Sequence, residues 1–306
     1  MKKSLHTFLI FLMFTFISTA QRMPLFSHRI YKEKVKIEKD ILCDTRPYIM
    51  VFEDNFNKLD TSNWLTYYPY PEPHKRIHSY ENCEHQYFKD ENVIVKNGIC
   101  HLIAKRDTIE YFGRTYPITS GMIHSKIAIQ FNYGRFEMRC KLPKGQGFWS
   151  AFWLWGINGE IDIFETTGNN PFLQHTNVHI PREQNGKTIF KNFSKAIKTI
   201  DSSDGFHTYI VEWSEQEVVW LTDGVVIRRL PRYWNFLGNP VDCPIKKRKR
   251  YWQNLMVPVT WEPFNIIAGL GISDECNSWS PPPSANVVFP QSMEIDYIRV
   301  YQRKGL

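Results

Sequence analysis

The chain has 306 residues, of which 42% are hydrophobic and 15% aromatic, so it can bury a sizeable core. Its formal charge of +7 falls to +5 without Lys2 and Lys3. A positive charge of this size serves solubility and gives no argument for nucleic-acid binding. We therefore expect an ordinary folded domain with no nucleic-acid partner.

The first twenty residues have the pattern of a secretory signal. Lys2 and Lys3 precede an apolar run over residues 8–17, and Ser18-Thr19-Ala20 places small residues before a cleavage point. The apolar run has about half of the roughly 20 residues that a membrane-spanning helix needs. We expect a signal peptide over residues 1–20, export to the periplasm or the extracellular space, and no stable membrane insertion.

After the signal we expect a polar leader over residues 21–45 and one monomeric domain over residues 46–306. The chain contains six cysteines: Cys43, Cys83, Cys100, Cys140, Cys243 and Cys276. An exported chain permits disulfides, and six cysteines allow 15 pairings that the sequence cannot rank. Because no CxxC pair occurs, the pattern does not favour a zinc site, and some cysteines can be buried thiols.

Short segments with alternating apolar and polar residues recur along the domain. They are rich in β-branched and aromatic residues, are bounded by Gly, Pro, Asn or Asp, and cover residues 92–107, 121–131, 133–143, 206–230 and 293–303. Asp223-Gly224 predicts the turn of a β-hairpin. No long helical periodicity occurs, so the pattern predicts an all-β sandwich. Residues 231–263 are the least strand-like and predict a loop insertion that carries the basic run from Lys246 to Arg250.

Three carboxylates stand inside an apolar run in GEIDIFETTG, residues 159–168. On a strand, Glu160 and Asp162 point the same way, whereas simple alternation sends Glu165 to the opposite face. A one-residue β-bulge near Ile163-Phe164 would return Glu165 to their side. The spacing therefore predicts a carboxylate cluster with Asp162 between two glutamates.

Such a cluster suits glycoside hydrolysis with retention of configuration. One carboxylate attacks the anomeric carbon, and the other protonates the departing oxygen. Crowding raises the pKa of at least one acid, because neighbouring like charges resist joint ionisation. The alternatives from the residues alone are a solvated acidic strand edge or a calcium site.

The segment FWSAFWLWGINGEIDIFETTGNNP resembles the active-site strand of glycoside hydrolase family 16. The resemblance is to its bulge-containing branch of laminarinases and red-algal galactanases. Further segments, SYENCEHQYF, YGRFEMRCKLPKGQGFW, FHTYIVEW, LTDGV and MEIDYIRVYQR, are similar to the family in the same order. The resemblance implies a β-jelly-roll sandwich of two curved antiparallel sheets. It also implies that Glu160 is the nucleophile, Glu165 the acid/base and Asp162 the assisting group.

Two departures from the family pattern leave the substrate open. Only residues 155–159 separate the Trp-containing strand from Glu160, where laminarinases usually have a longer loop. Residues 168–171 after the acid/base are laminarinase-like, whereas Lys246 to Arg250 would suit a sulfated galactan.

Aromatic side chains near the acids are candidates for sugar contacts, because rings stack on the apolar faces of sugars. Trp149, Trp153 and Trp155 precede the nucleophile, and alternation places Trp153 and Trp155 on one face of their strand. His179 follows the active strand and can hydrogen-bond substrate or the acids. For each of these residues a purely structural place in the core is the alternative.

Two other resemblances concern single acidic residues. Glu84, with Gln86, lies in a segment similar to one that edges the family's cleft. Asp296 is similar to a position that in some members helps bind a structural calcium. No cofactor is required by the expected reaction, and calcium at Asp296 stays an alternative.

The sequence thus predicts an exported, retaining endo-glycosidase of a β-linked polysaccharide, with a β-1,3- or mixed-linkage β-1,3-1,4-glucan as the preferred substrate. The first alternative is a red-algal galactan hydrolase of the agarase, porphyranase or carrageenase type. The second is a non-catalytic carbohydrate-binding sandwich, and the intact trio of Glu160, Asp162 and Glu165 speaks against it. The third is a protein that binds polyanions through Lys246 to Arg250.

Overall fold

The computed structural model describes residues 32–36, 44–77, 83–184, 187–237, 239–241, 250–254, 262–277 and 279–304. The predicted signal, most of the leader, Cys43, Cys243 and residues 246–249 of the basic run lie outside these residues.

The described residues form 22 β-strands and one 3-10 turn at Asp90–Asn92. The strands are β1 Lys32–Lys36, β2 Tyr48–Asp54, β3 Trp64–Leu65, β4 Gln86–Phe88, β5 Val93–Lys96, β6 Ile99–Tyr111, β7 Arg114–Ser120, β8 Met122–Ser125, β9 Gln130–Phe131, β10 Gly134–Lys141, β11 Phe148–Gly156, β12 Gly159–Thr167, β13 Leu173–Gln184, β14 Lys187–Asn192, β15 Lys195–Lys198, β16 His207–Trp213, β17 Glu217–Thr222, β18 Val225–Pro231, β19 Tyr233–Trp234, β20 Arg250–Asn254, β21 Phe264–Ile272 and β22 Gln291–Arg303.

Two large sheets make up the sandwich. The front sheet has nine strands in the order β14-β13-β12-β11-β21-β8-β3, with β15 beside β13 and β9 beside β21. The back sheet has ten strands in the order β18-β17-β16-β10-β22-β6-β7-β4, with β2 beside β22 and β5 beside β6. Neighbours pair antiparallel except for β4 and β7, which are parallel. The predicted all-β jelly-roll sandwich is confirmed.

The core lies between the sheets and follows from period-2 patterning. On β11, Phe152 and Leu154 are fully buried, as are Ile161 and Phe164 on β12. The Phe164 ring meets Tyr209 of the back sheet at 4.4 Å between centroids. Since a fully buried side chain of this size stabilises the fold by roughly 1.5–3 kcal/mol, this core fixes the register of the front sheet.

The predicted hairpin is confirmed between β17 and β18. Asp223 and Gly224 occupy the turn with φ of 48° and 77°, the two positive values that a type I′ turn requires. The Asp223 carboxylate accepts a hydrogen bond from the Thr208 backbone N–H at 2.8 Å, which ties the turn to β16.

Part of the expected leader and part of the expected loop insertion differ from the prediction. β1 from the leader and β19 and β20 from the insertion form a separate three-stranded sheet in the order β1-β20-β19. β1 reads KEKVK, which carries one apolar residue and no clear alternation. A strand this polar gives little sequence signal, because it depends on its partner for pairing.

Cys83 and Cys276 form a disulfide across 193 residues of sequence. Cys100 and Cys140 are buried thiols, as expected for some of the six. Within the described part of the chain, no helix is long and apolar enough to cross a membrane.

Candidate active site

A β-bulge in β12 brings the three carboxylates to one face of the front sheet. Asp162 pairs with Trp153 of β11, but the next pair is Phe164 with Phe152, so Ile163 is the extra residue. On the other side, the register with β13 shifts between Asp162 and Glu165. The predicted bulge is confirmed at its predicted place, and both Ile163 and Phe164 are buried in the core.

Side chains stabilise the backbone carbonyls around the bulge. The Trp220 indole N–H of the back sheet donates to the Asp162 carbonyl at 2.8 Å. The Gln174 amide donates to the Ile163 carbonyl at 3.1 Å, and its own oxygen accepts the Thr222 hydroxyl at 2.8 Å. Because a buried carbonyl without a partner is costly, these bonds allow the irregular strand to stay inside the sandwich.

The hairpin before Glu160 requires glycine at residue 159. Gly159 has φ of 146°, and a Cβ there would lie 2.6 Å from the His179 carbonyl. Any other side chain would push β13 away from β12. This close approach sets Glu160 opposite His179 in the register of the two strands.

The carboxylates line a cleft of about 300 Å³ in the front sheet. Acids, amides, a hydroxyl and aromatic rings make up most of its lining. The cleft-lining residues are Tyr68, Glu84, Phe88, Trp149, Ala151, Trp153, Glu160, Asp162, Glu165, Asn177, His179, Asn192, Ser194, Gly269, Gly271 and Trp279. No lysine or arginine is among these described residues.

His179 lies beside both acids at the start of the cluster. Its Nε2 is 3.2 Å from Asp162 Oδ2 and 3.6 Å from Glu160 Oε1. The Asn177 amide nitrogen lies 2.8 Å from the same Nε2. Asn177 is itself fixed, because its oxygen accepts the backbone N–H groups of Val178 and Phe193. The imidazole is therefore held against Asp162 by its neighbours on β13.

Burial and mutual repulsion shift the proton equilibria of the glutamates. Burial, followed by the charge and hydrogen bond of Asp162 and the charge of Glu165, raises the pKa of Glu160 well above its usual value. Burial, followed by the charges of Asp162 and Glu84, raises the pKa of Glu165, while the Trp149 indole favours its charged form. The cluster therefore holds at least one proton under conditions where isolated glutamates hold none.

Burial and the neighbouring Asp162 shift the pKa of His179 in opposite directions. Burial alone would lower its pKa, but the hydrogen bond and charge of Asp162 outweigh burial and raise it. His179 is thus a second group that can hold a proton next to Asp162 near neutral pH.

The predicted aromatic residues take three different places. Trp149 is partly buried and lines the cleft beside Glu165. Trp153 also lines the cleft, but it is only 6% exposed and packs with Tyr68, Phe88, Met122 and Ile267. Trp155 is not among the cleft-lining residues and meets the Tyr70 ring edge-on at 5.6 Å. The predicted alternation of β11 is confirmed, since Phe152 and Leu154 face the core instead.

Glu84 reaches the cleft from a segment that is tied to β21. The His85 N–H donates to the Ile272 carbonyl at 2.8 Å, and the Asp274 N–H donates to the Cys83 carbonyl at 2.7 Å. The Gln86 amide oxygen accepts the Ile272 N–H at 2.7 Å, and its nitrogen donates to the Glu84 carboxylate. Glu84 is thereby held as a fourth carboxylate in the cleft.

The sequence alone did not single out several cleft-lining residues. Trp279 is 38% exposed, stacks on His175 at 4.5 Å and meets Trp149 at 5.4 Å. It comes from an irregular segment with no strand pattern, so no periodic signal marks it. Asn177 could have been found, because it lies two positions before His179 on the same strand face.

Asp296 takes part in an ion pair with Arg139 on the back sheet. Within the described residues, the one group of three acidic or histidine side chains close enough to share a metal is Glu160, Asp162 and His179, whose ligand atoms lie within 4.8 Å of one another. Proton sharing among these three side chains explains why they lie so close together, and we assign no metal to them.

This arrangement can perform a two-carboxylate displacement. An ionised Glu160 can attack, a protonated Glu165 can donate to a leaving oxygen, and Asp162 lies between them with His179 as a further proton partner. Aromatic rings and amides around them can orient a sugar by stacking and hydrogen bonding.

Comparison with known proteins agrees with the fold. Residues 81–251 match the model of the glycosyl hydrolases family 16. A β-glucanase of Rhodothermus marinus is 29% identical over 74% of this chain and 76% of its own length. Glucan endo-1,3-beta-glucosidase A1 of Niallia circulans is 27% identical over 83% of this chain, which spans 38% of that protein.

A solved structure extends the comparison to three dimensions. The laminarinase catalytic domain of Thermotoga maritima superposes with a TM-score of 0.65 at 28% identity, over 83% of this chain and 98% of that one. The family match includes β12 with its three carboxylates, and the fold similarity covers most of the sandwich. The chain is a glycoside hydrolase that belongs to the glycosyl hydrolases family 16.

Proposed function

We propose that this protein is a retaining endo-hydrolase of a neutral β-glucan, with β-1,3- or mixed-linkage β-1,3-1,4-glucan as its substrate. The observation that carries the proposal is the bulge in β12, because it directs the side chains of Glu160, Asp162 and Glu165 towards the same cleft. The names of the related β-glucanase and endo-1,3-β-glucosidase support the choice of glucan.

In this proposal Glu160 attacks the anomeric carbon, and Glu165 gives its proton to the departing sugar oxygen. Glu165 then takes a proton from water, which attacks the glycosyl-enzyme and releases the product with its original configuration. The raised pKa of Glu165 keeps it protonated for the first step. His179, which lies within 3.2 Å of Asp162, can hold the proton of the cluster on that side and leave Glu160 free to ionise.

The choice of a neutral substrate rests on the charge of the cleft. The described cleft-lining residues include four carboxylates and no lysine or arginine. A sulfated chain needs cationic or N–H donors against its sulfates, since charge-assisted contacts provide most of that recognition. Of the basic run, only Arg250 is described, where it pairs with Lys36 in the small sheet and does not line the cleft.

The proposal includes secretion after removal of residues 1–20 and action as a monomer without a cofactor. It includes contact of Trp149, Trp153, Trp279 and Glu84 with the polysaccharide. A structural calcium at Asp296 is a weaker part, because Arg139 already neutralises that carboxylate.

Product analysis tests the substrate directly. The purified protein is incubated with laminarin, lichenan, agarose, porphyran and carrageenan, and the products are separated by size. We expect oligosaccharides from laminarin or lichenan and none from the sulfated galactans. Cleavage of agarose, porphyran or carrageenan with laminarin left intact would replace the glucan proposal by a galactanase.

A variant in which Lys246 to Arg250 are replaced by neutral residues provides a second test of the substrate. If the run does not contact the substrate, the variant degrades every glycan like the wild type. A large rise in KM on a sulfated chain, with kcat preserved, would instead place the run at the substrate.

A further inference from the structure

A buried arginine lies behind the catalytic strand. Arg228 on β18 belongs to the back sheet, is 5% exposed, and extends towards the front sheet. Burial lowers its pKa to about 10, so the guanidinium is still charged at neutral pH. A charge removed from water is costly unless it is compensated, and no salt bridge to Arg228 occurs in the described part of the chain.

Hydrogen bonds to the front sheet compensate part of this cost. Nη1 of Arg228 donates to the Thr176 carbonyl at 2.8 Å and to the Thr176 hydroxyl at 2.7 Å. Nη2 donates to the Phe193 carbonyl. These two carbonyls flank Asn177, Asn192 and Ser194, all of which line the cleft.

The same guanidinium also packs against the residue that holds the bulge. Its Cζ lies 4.5 Å from the centre of the Trp220 ring, and Trp220 donates to the Asp162 carbonyl. Asp162 pairs with Asn177 in the strand register, one residue after Thr176. Arg228 therefore contacts β13, which carries His179, directly, and it reaches β12, which carries Asp162, through Trp220.

We propose that Arg228 is a positioning residue for the carboxylate cluster. Its hydrogen bonds fix β13 opposite Asp162, and its positive charge behind the sheet offsets the negative charge of the carboxylate cluster at the moment of attack. The titratable groups that face Glu160 and Asp162 are Glu165, Glu84, His179, Tyr68 and Tyr70, and no lysine or arginine is among the described cleft-lining residues. Burial lowers the pKa of Arg228 and the charge of Asp162 raises it against that effect, so the guanidinium and this carboxylate interact through the sheet. The inference rests on the proposed roles of the carboxylates.

Three variants separate charge from geometry. Arg228→Lys keeps the charge but cannot make the same three hydrogen bonds, and Arg228→Met removes the charge and the bonds. Trp220→Phe keeps Arg228, removes the bond to the Asp162 carbonyl and shortens the buried ring that faces the guanidinium. Arg229→Met is the matched control, since Arg229 neighbours Arg228 but points outward and pairs with Glu217. Each variant is assayed well below its melting temperature, which is measured in parallel.

We expect the acidic limb of the kcat/KM profile to move up by roughly half a pH unit or more in Arg228→Met. In Arg228→Lys and Trp220→Phe we expect the limb to stay while kcat/KM falls about 10- to 100-fold, because small displacements of reacting groups are costly. Arg229→Met should match the wild type. If Arg228→Met cannot be purified, the fall in kcat/KM of Arg228→Lys with an unmoved limb carries the test.

The inference is overturned if Arg228→Met or Arg228→Lys lowers only the melting temperature and leaves both kcat/KM and the limb at wild-type values. A measurement without substrate tests the role of Arg228 independently of the proposed glucan substrate. Carbon-13 NMR of labelled glutamate and aspartate carboxyls follows Glu160 and Asp162 in the free protein. A displaced titration in Arg228→Met supports the positioning role even if no glucan is cleaved, and an undisplaced one contradicts it even if laminarin is degraded.

Discussion

Nε2 of His179 lies 3.2 Å from the Asp162 carboxylate, in a site where Asp162 also raises the pKa of Glu160. Asp162 therefore interacts with two proton-binding neighbours, and which of them holds the proton decides whether Glu160 is ionised. We expect His179→Ala to lower kcat/KM about 10- to 100-fold, because Asp162 loses the partner that orients it. His179→Gln, which keeps a hydrogen-bond donor, should recover part of the loss, and wild-type rates in His179→Ala would contradict this role.

Replacing the nucleophile should separate activity from stability. Glu160→Gln is expected to lower kcat by at least about 1000-fold. Because its folded-state pKa is raised, Glu160 binds a proton more tightly in the folded chain, so ionising it costs stability as pH rises. The variant should thus melt at a higher temperature than the wild type at pH 8, with a smaller difference at pH 4. Proton NMR of the first wild-type product should show the retained anomer, and an inverted product would exclude Glu160 as nucleophile.

The effect of removing the acid/base on activity should depend on the leaving group of the substrate. Glu165→Ala is expected to lose most activity on polysaccharide but to keep much of it on an aryl β-glucoside whose phenolate departs without protonation. Azide should speed the second step by replacing the activated water, and should give a glycosyl azide. Equal losses on both substrates, with no azide product, would remove Glu165 from this role.

Two neighbours of Glu165 should shift the pH profile in opposite directions. The charge of Glu84 raises the pKa of Glu165, and the Trp149 indole lowers it. Since Glu165 acts protonated, Glu84→Gln should move the basic limb of kcat/KM to lower pH and Trp149→Phe should move it to higher pH. The comparison uses the position of the limb, because both residues line the cleft and can also change KM. Shifts of the same sign would mean that another group controls the limb.

A histidine that is not among the described cleft-lining residues should give pH-dependent stability. His207 lies 2.9 Å from Asp204 and 2.8 Å from Asp223. Burial lowers its pKa, but the two carboxylates outweigh burial and raise it. The stabilisation is then complete below the unfolded value of about 6.5 and is lost as pH rises through the raised folded value.

His207→Gln should therefore destabilise the protein at pH 5.5 and have little effect at pH 9. The expected loss is about 0.5 kcal/mol, because Asp204 is largely exposed and water screens the pair. Urea unfolding at the two pH values measures it. A loss that is equal at both values would show that the imidazole contributes by packing and not by charge.

The sequence predicted the front sheet well where alternation is strong. In β11 and β12 the apolar residues mark the core face, and the spacing of Glu160, Asp162 and Glu165 could be reconciled with a strand only by a bulge, which the structure contains. The hairpin at Asp223-Gly224 was predictable for a similar reason, since few residue pairs adopt two positive φ values.

Other parts of the site depend on tertiary contacts that leave no periodic pattern. Trp279 lies in an irregular segment, and the disulfide from Cys276 to Cys83 and ring contacts with His175 and Trp149 place it in the cleft. Arg228 lies on an edge strand beside the exposed Arg229 and looks like a surface residue in sequence. Its burial follows from the packing of β18 over β13, which sequence spacing does not show.

The bond from the Trp220 indole to the Asp162 carbonyl has a consequence for how activity appears during folding. The two residues are 58 positions apart and belong to different sheets, so this bond forms only when the two sheets dock. A collapsed chain with both sheets formed but not yet docked would bury apolar surface and still hold Glu165 in no defined direction. Enzymatic activity should therefore return only with the final docking of the sheets, and it reports on native tertiary packing more strictly than backbone circular dichroism does.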